Sequence, residues 1–387
     1  MLIHSKIDTL IDGYLPELTA LRHLIHKNPE PAYNEVATSK LIKETLSKLQ
    51  LEIKPPLIGT DVVAILNSTN SKNITFRSDI DALLITEKTK LNYKSNNCYM
   101  HACGHDGHIA IMLGTAMVLN ALKENLNCSV RFIFQPAEEN LCGGRKLVES
   151  GVLRNPTAEA VFALHGAPGQ PENILLTAPG TMTTGCKPFK IIIYGKSGHS
   201  TIPEKCIDPI LTSAKIILNL KMIPSVNFSP KDIVLVSVCN ISGGTTDNII
   251  PDTTELNGNF RYYTPTHSDK IEKLIIKTIR SACSESGADF NCTFGEHYIP
   301  SVNDDKMVDF WSQSLKKYLP ENTIITNDQP SSTSEDFSYY LNEVPGVLFR
   351  LGLGVNHPNL HSSEFDFNDN TIKTGIKAFV ALALEYK

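Results

Sequence analysis

Between residues 62 and 164 short apolar runs alternate with a long apolar helical segment, and this alternation restricts the chain to few folds. Val62–Leu66, Ile74–Asp79, Val130–Phe134 and Ala160–Leu164 are rich in Val, Ile and Phe and show little polar alternation. Strands of that kind belong in a sheet covered on both faces. Ile109–Leu122 reads as a helix packed on that sheet. Upstream, the apolar spacing of Ile7, Leu10, Ile11, Leu18, Leu21, Leu24 and Ile25 predicts an amphipathic helix over 5–27, ended by Pro29 and Pro31, with a second helix over 34–48. The expectation is an α/β fold of three layers around a mainly parallel sheet.

The pattern changes near residue 187. Strands are predicted at 187–194, 233–238, 256–262 and 290–294, and helices at 207–220 and 268–283. The order β-α-β-β-α-β is that of a small ferredoxin-like domain. After Pro300 the earlier style returns, with a strand at 346–351 and a helix at 368–386. The reading is therefore a discontinuous domain, 1–186 and 297–387, interrupted by an inserted domain over 187–296.

Charge and cysteine usage narrow the function class. Lys and Arg number 36 and Asp and Glu 41, a net charge of −5, so no basic field argues for nucleic acid or an anionic membrane. Nine cysteines with no CxxC pair do not look like a disulfide framework. Lys6, Asp8 and Asp12 interrupt the apolar residues near the amino terminus, which excludes a signal-peptide core there. No run approaches the ~18 apolar residues of a membrane span. The expectation is a cytoplasmic protein with reduced thiols.

Chemistry concentrates at a few strand ends. His101-Ala102-Cys103-Gly104-His105-Asp106-Gly107-His108 places three imidazoles, a thiol and a carboxylate just before a helix. These are donors for Zn, Mn, Co or Ni. A His-rich capping loop is the competing reading, but it has no need of a Cys between two His. Spacing does not say which His ligate. Glu138 and Glu139 follow the strand Val130–Phe134, where one carboxylate can ligate and the other handle protons. His165 ends the strand Ala160–Leu164, and His361 lies in a loop before the last helix. Each is weak alone; together with the others they suggest a site assembled along one sheet edge. Asp79 and Asp81 share a face at another strand end and suit a carboxylate that orients a ligating imidazole.

These motifs resemble the metal-dependent amidohydrolases and peptidases that include hippurate hydrolase, N-acyl-amino-acid amidohydrolases, indole-acetyl-amino-acid hydrolases and N-acetyldiaminopimelate deacetylases. The resemblance runs from Arg22-His23-Leu24-Ile25-His26 and Pro29-Glu30 through Arg77–Leu83, Met100–His108, Gln135–Glu139, Gly195–His199 and Asp208-Pro209. It continues through Gly243-Gly244, Asn248–Asp252 and Ser334–Phe337 to His361-Ser362. It implies two divalent ions per subunit (Zn, Mn, Co or Ni) on Cys103, His105, Glu139, His165 and His361, with the Cys103 thiolate bridging. It makes Glu138 the general base. It implies that His199 reaches the neighbouring subunit's site to polarise the scissile carbonyl, and that Asn248 and Arg261 meet the substrate carboxylate or the oxyanion. The insert is then a lid and dimerisation domain of a homodimer or higher homo-oligomer.

The chain departs from the family pattern at Leu84, where Pro is usual, at Gly166–Pro171, at Thr181–Gly185, and at Ser200-Thr201, where Ala-Ala is common. None of these removes a ligand or the base. The expected activity is hydrolysis of N-acyl-amino acids. The alternatives are a dipeptidase or carboxypeptidase with the same metal chemistry, or a catalytically silent metal-binding protein.

Overall fold

Phe132, Ile133 and Phe134 are consecutive and all buried, yet they serve two different cores. Phe132 and Phe134 join Phe76, Phe162 and Phe349 on one face of a sheet. Ile133 joins Val63, Val161, Ala163 and Leu348 on the other. Period-two alternation with apolar residues in both registers needs cover on both faces. The computed structural model describes residues 3–68 and 72–387, and in it helices lie on both faces of this sheet. Met1 and Leu2 of the amino-terminal stretch lie outside the described residues.

The sheet has eight strands in the order Glu52–Lys54, Val62–Leu66, Ser129–Gln135, Asn73–Asp79, Ala160–Pro168, Gly346–Gly354, Leu175–Leu176 and Ile324–Ile325. The four central strands, Ser129–Gln135 through Gly346–Gly354, run parallel. Val62–Leu66 and Leu175–Leu176 flank them antiparallel. The helices Ile3–Lys27, His105–Ala121 and Ile372–Glu385 pack together over the Phe-rich face. Gly143–Glu149 and Ser338–Glu343 cover the other. The fold is α/β, around a mainly parallel sheet.

Several boundaries differ from expectation. The long helix begins at His105, four residues before the apolar run, because Gly104 (φ +84°) supplies the left-handed turn that opens it. The strand from Ala160 runs on to Pro168, so His165 lies inside it and not at its end. Parallel pairing with Gly346–Gly354 carries it past the apolar residues. The amphipathic helix Asp305–Lys316 escaped the sequence reading.

The chain forms two compact units: 1–182 with 301–330 and 335–387, and 183–300 with 331–334. The expected boundaries at 187 and 296 thus lie about four residues inside the second unit. That unit also takes in Ser331–Ser334, because the Thr184 amide donates to the Thr333 carbonyl and the Arg261 guanidinium to the Ser332 carbonyl. Its sheet is fully antiparallel in the order Val234–Gly243, Thr253–Tyr262, Gly185–Tyr194, Asp289–Phe294, with the helices Pro209–Asn227 and Ser268–Ser286 over one face. In chain order this is 2-3-1-4, the ferredoxin-like topology. Among the described residues no helix is long and apolar enough to cross a membrane.

Candidate metal centre

In a parallel sheet the carboxyl ends of neighbouring strands lie on one edge, where α/β proteins build their sites. Here Asp79 ends one central strand, Glu138 and Glu139 follow the next, His165 is near the end of the third, and the loop carrying His361 follows the fourth. The helix His105–Ala121 starts at that same edge and brings Cys103 and His105.

The donors fall into overlapping groups. Ligand atoms of Cys103, His105 and His165 lie within 4.8 Å of one another, and so do those of Cys103, Glu139 and His361. The thiol belongs to both sets. Cys103 Sγ is 3.4 Å from His165 Nε2, and His361 Nε2 is 3.3 Å from Glu139 Oε1. His105, Glu138 and Glu139 form a third group.

The imidazoles are oriented from behind. His165 Nδ1–H donates to the Gly166 carbonyl at 2.8 Å, and His105 Nδ1–H to the Asp81 carbonyl at 2.9 Å, so each turns Nε2 toward the cluster. His108 differs. Its Nε2 accepts the Gly166 amide at 3.0 Å and its Nδ1–H donates to Asp79 at 2.7 Å. Both ring nitrogens are engaged, so His108 holds the scaffold. Asp79 also lies 3.6 Å from His105 Nε2, and Asp81 accepts the Glu139 amide at 3.1 Å. His361 has φ +62°, rare for a residue with a side chain, and its amide donates to the Ala102 carbonyl at 2.8 Å. That bond ties the His361 loop to the Cys103 segment.

A buried carboxylate cluster adjoins the donors, and the motif Ser334–Phe337 had no role assigned to it. Ligand atoms of Glu138, Glu335 and Asp336 lie within 4.8 Å of one another. The Arg77 guanidinium sits among them: Nε donates to Gln135 Oε1 at 2.9 Å, Nη1 to Asp79 at 2.8 Å, and Nη2 to Asp336 at 2.8 Å with Glu335 at 3.0 Å. Asp336 also accepts the Gly144 amide at 2.7 Å. Sequence could flag Arg77 only as an unusual charge inside an apolar strand.

The electrostatics follow from packing. Burial, reinforced by Glu335, Glu139 and Asp336, pushes Glu138 well above the carboxylate range. Burial pushes Asp336 up to about 7 against the pull of Arg77. Against the cost of burial, His105, His108 and Arg77 hold Asp79 well below its usual value. His105 is raised to about 10, its own burial outweighed by Asp79, Asp81 and Glu139. Burial lowers His165 to about 3. Burial with Glu139 and Glu138 drives the Cys103 thiol far up. Acidic side chains therefore crowd the donors: Glu138 and Glu139 group with His105, and Glu138 also with Glu335 and Asp336, which share the Arg77 guanidinium with Asp79. A thiolate in that company requires added positive charge. His105 Nε2 is buried and has no hydrogen-bond partner among the described residues, as a vacant ligand atom would. The donor set therefore fits divalent cations.

The remaining sequence candidates lie in the second unit. Gly198–His199 pairs antiparallel with Ile249–Ile250, and the Ser200 amide donates to the Asn248 carbonyl at 3.1 Å. Two residues from separate motifs, His199 and Asn248, are thereby brought side by side. The Thr201 amide donates to His199 Nδ1 at 3.2 Å, and the Thr201 hydroxyl lies 2.9 Å from the same atom. The neutral ring therefore carries its hydrogen on Nε2 and presents a donor. Thr201 is one of the departures noted above. Arg261 Nη1 donates to the Ser332 carbonyl at 2.8 Å and approaches the Thr184 and Ser334 hydroxyls at 3.4 and 3.3 Å. Arg261 thus binds a segment of its own chain, a role its strand position did not suggest.

The profile of the peptidase family M20/M25/M40 matches residues 75–385. The chain is 34% identical to thermostable carboxypeptidase 2 of Saccharolobus solfataricus, over 95% of this chain and 94% of that one. It is also 34% identical to the N-acetylcysteine deacetylase of Bacillus subtilis, over 95% and 96%. Among solved structures it resembles a Bacillus subtilis dinuclear metal binding peptidase of the M20 family, with a TM-score of 0.84, 29% identity, and 96% and 98% of the two chains covered. The chain belongs to the M20/M25/M40 peptidase family, the metal-dependent amidohydrolases and peptidases that its motifs resemble.

Proposed function

We propose that this protein hydrolyses the amide bond of N-acyl-amino acids, releasing a carboxylic acid and an amino acid. The observation that carries the reading is the pair of donor sets that share Cys103, with the buried carboxyl of Glu138 beside them. Cys103, His105, Glu139, His165 and His361 would hold two divalent ions, Cys103 being the residue that belongs to both donor sets. Such ions, when bound, would make water more acidic and draw charge from an amide carbonyl. Glu138 takes a proton from the attacking water and returns it to the departing amine. Asp79 and Asp81 orient the ligands. His199, a donor at Nε2, and Asn248 supply hydrogen bonds to the oxyanion or the substrate carboxylate, joined by the rest of the Arg261 guanidinium.

The relatives' names divide between carboxypeptidase and N-acyl-amino-acid deacetylase. A panel of acetyl-, benzoyl- and aminoacyl-amino acids, run beside elemental analysis, tests the reading. Two metal equivalents per chain and turnover of the acetyl or benzoyl compounds are expected. Turnover confined to aminoacyl compounds would make the protein a dipeptidase or carboxypeptidase.

The second unit would act as lid and dimer contact. Leu211, Leu218, Met222 and Val226 lie along one stripe of the helix Pro209–Asn227, each more than half exposed, beside the edge strand Val234–Gly243. An apolar stripe next to an open sheet edge suits a second copy of the chain. Leu218→Lys with Met222→Lys should yield monomers in sedimentation. If His199 serves the neighbouring copy's site, those monomers lose turnover with their metal intact; fully active monomers would refute action across the dimer.

A further inference from the structure

Glu35 occupies the N-cap position of the helix Val36–Leu46, yet its carboxylate makes no capping bond. Glu30 performs that task, accepting the Ala37 amide at 3.0 Å, and the Thr38 amide and hydroxyl at 2.8 and 2.9 Å. The Glu35 carboxylate is instead fully buried and turned toward the loop after the strand Ser129–Gln135. One oxygen accepts the Ala137 amide at 3.1 Å and the other the Thr60 hydroxyl at 2.7 Å. Burying a carboxylate is costly, and burial raises Glu35 to about 7.

What it holds is the residue before Glu138. Ala137 sits in the left-handed region at φ +58°, which residues with a side chain rarely adopt. Its amide is fixed by Glu35 and its carbonyl by the Gly143 amide at 3.0 Å. Gly143 approaches so closely that a Cβ there would lie 1.8 Å from the Pro136 carbonyl oxygen. The turn that aims Glu138 is thus strained and clasped from both sides, and strain of this kind persists only where its surroundings over-determine it.

We propose that Glu35 is a positioning residue that fixes the backbone of Glu138 through the Ala137 amide. The inference rests on the reading of Glu138 as the base. It assigns Glu35 no contact with substrate or metal. The acceptor oxygen at position 35 is the feature that counts, so glutamine should replace glutamate and residues without an acceptor should not.

The test compares Glu35→Gln, Glu35→Ala, Glu35→Met and Thr60→Val in the full chain, with metal content, kcat and KM measured for each. Glu35→Ala and Glu35→Met should lose kcat roughly ten- to hundred-fold, the scale of a small misplacement of a reacting group. KM and metal content should stay at parental values. Glu35→Gln should recover most of kcat, and Thr60→Val, which spares the Ala137 bond, should be close to the parent. Parental kcat in Glu35→Ala overturns the proposal, as does equal impairment of the Gln and Met variants. Loss of metal in step with activity, or a chain that folds only with an acceptor at 35, assigns Glu35 to folding and also overturns it. Full activity in Glu138→Gln would instead remove the reading on which the proposal rests.

Discussion

Glu138→Gln should lower kcat by about 10²–10⁴-fold while leaving metal content unchanged. The amide nearly matches the carboxyl in shape, so the turn from Pro136 to Gly144 and the contacts with Glu335 and Asp336 survive. What is lost is a group that can take a proton and give it back. Glu139, the proposed ligand, is untouched, which separates this outcome from metal loss. Elemental analysis with steady-state kinetics reads both quantities. A folded, metal-replete Glu138→Gln chain with parental kcat would rule out Glu138 as the base.

Arg77→Met should be the most destabilising single change in the first unit. Arg77 is the one guanidinium among Asp79, Glu335 and Asp336, all buried. Removing one partner of a buried ionic network leaves uncompensated charge and costs about 3–5 kcal/mol. For a unit of this size that corresponds to a melting temperature lower by roughly 5–10 °C. The loss should depend on pH. Asp336 has a native pKa of about 7, above its ordinary 3.8, so the folded state binds a proton that the unfolded state releases. Its contribution to stability is present below about pH 4 and is lost as pH rises through 7. Without Arg77 its proton affinity rises further, so the deficit should be larger at pH 8 than at pH 5. Thermal melts of parent and variant at both values check this. A pH-independent deficit would mean that packing against Phe337, whose ring lies 6.0 Å from the guanidinium, carries the effect.

The same network shows what a linear chain displays and what it hides. Strands such as Val62–Leu66 could be read because a short run rich in Val and Ile suits a strand buried on both faces, and the ferredoxin-like order followed from counting elements. The donors Cys103, His105, Glu138 and Glu139 stood out because metal-binding residue types crowd into short motifs. His165 and His361 were weak alone and gained weight only jointly, being single residues 62 and 258 positions beyond Cys103.

The sequence by itself determined the fold class, the family and the stock of ligand types, because these depend on local periodicity and residue chemistry. Only the tertiary structure decided how they are used. Parallel pairing set four strand ends on one edge and let one thiol join two donor sets. Hydrogen bonds to the second ring nitrogen turned Nε2 of His105 and His165 toward the other donors, while both nitrogens of His108 were engaged elsewhere. Arg77 met Glu335 and Asp336, more than 250 residues away, and Glu35 met Ala137 across 102. Such pairings depend on desolvation and on distances set by packing, and no spacing along the chain encodes them.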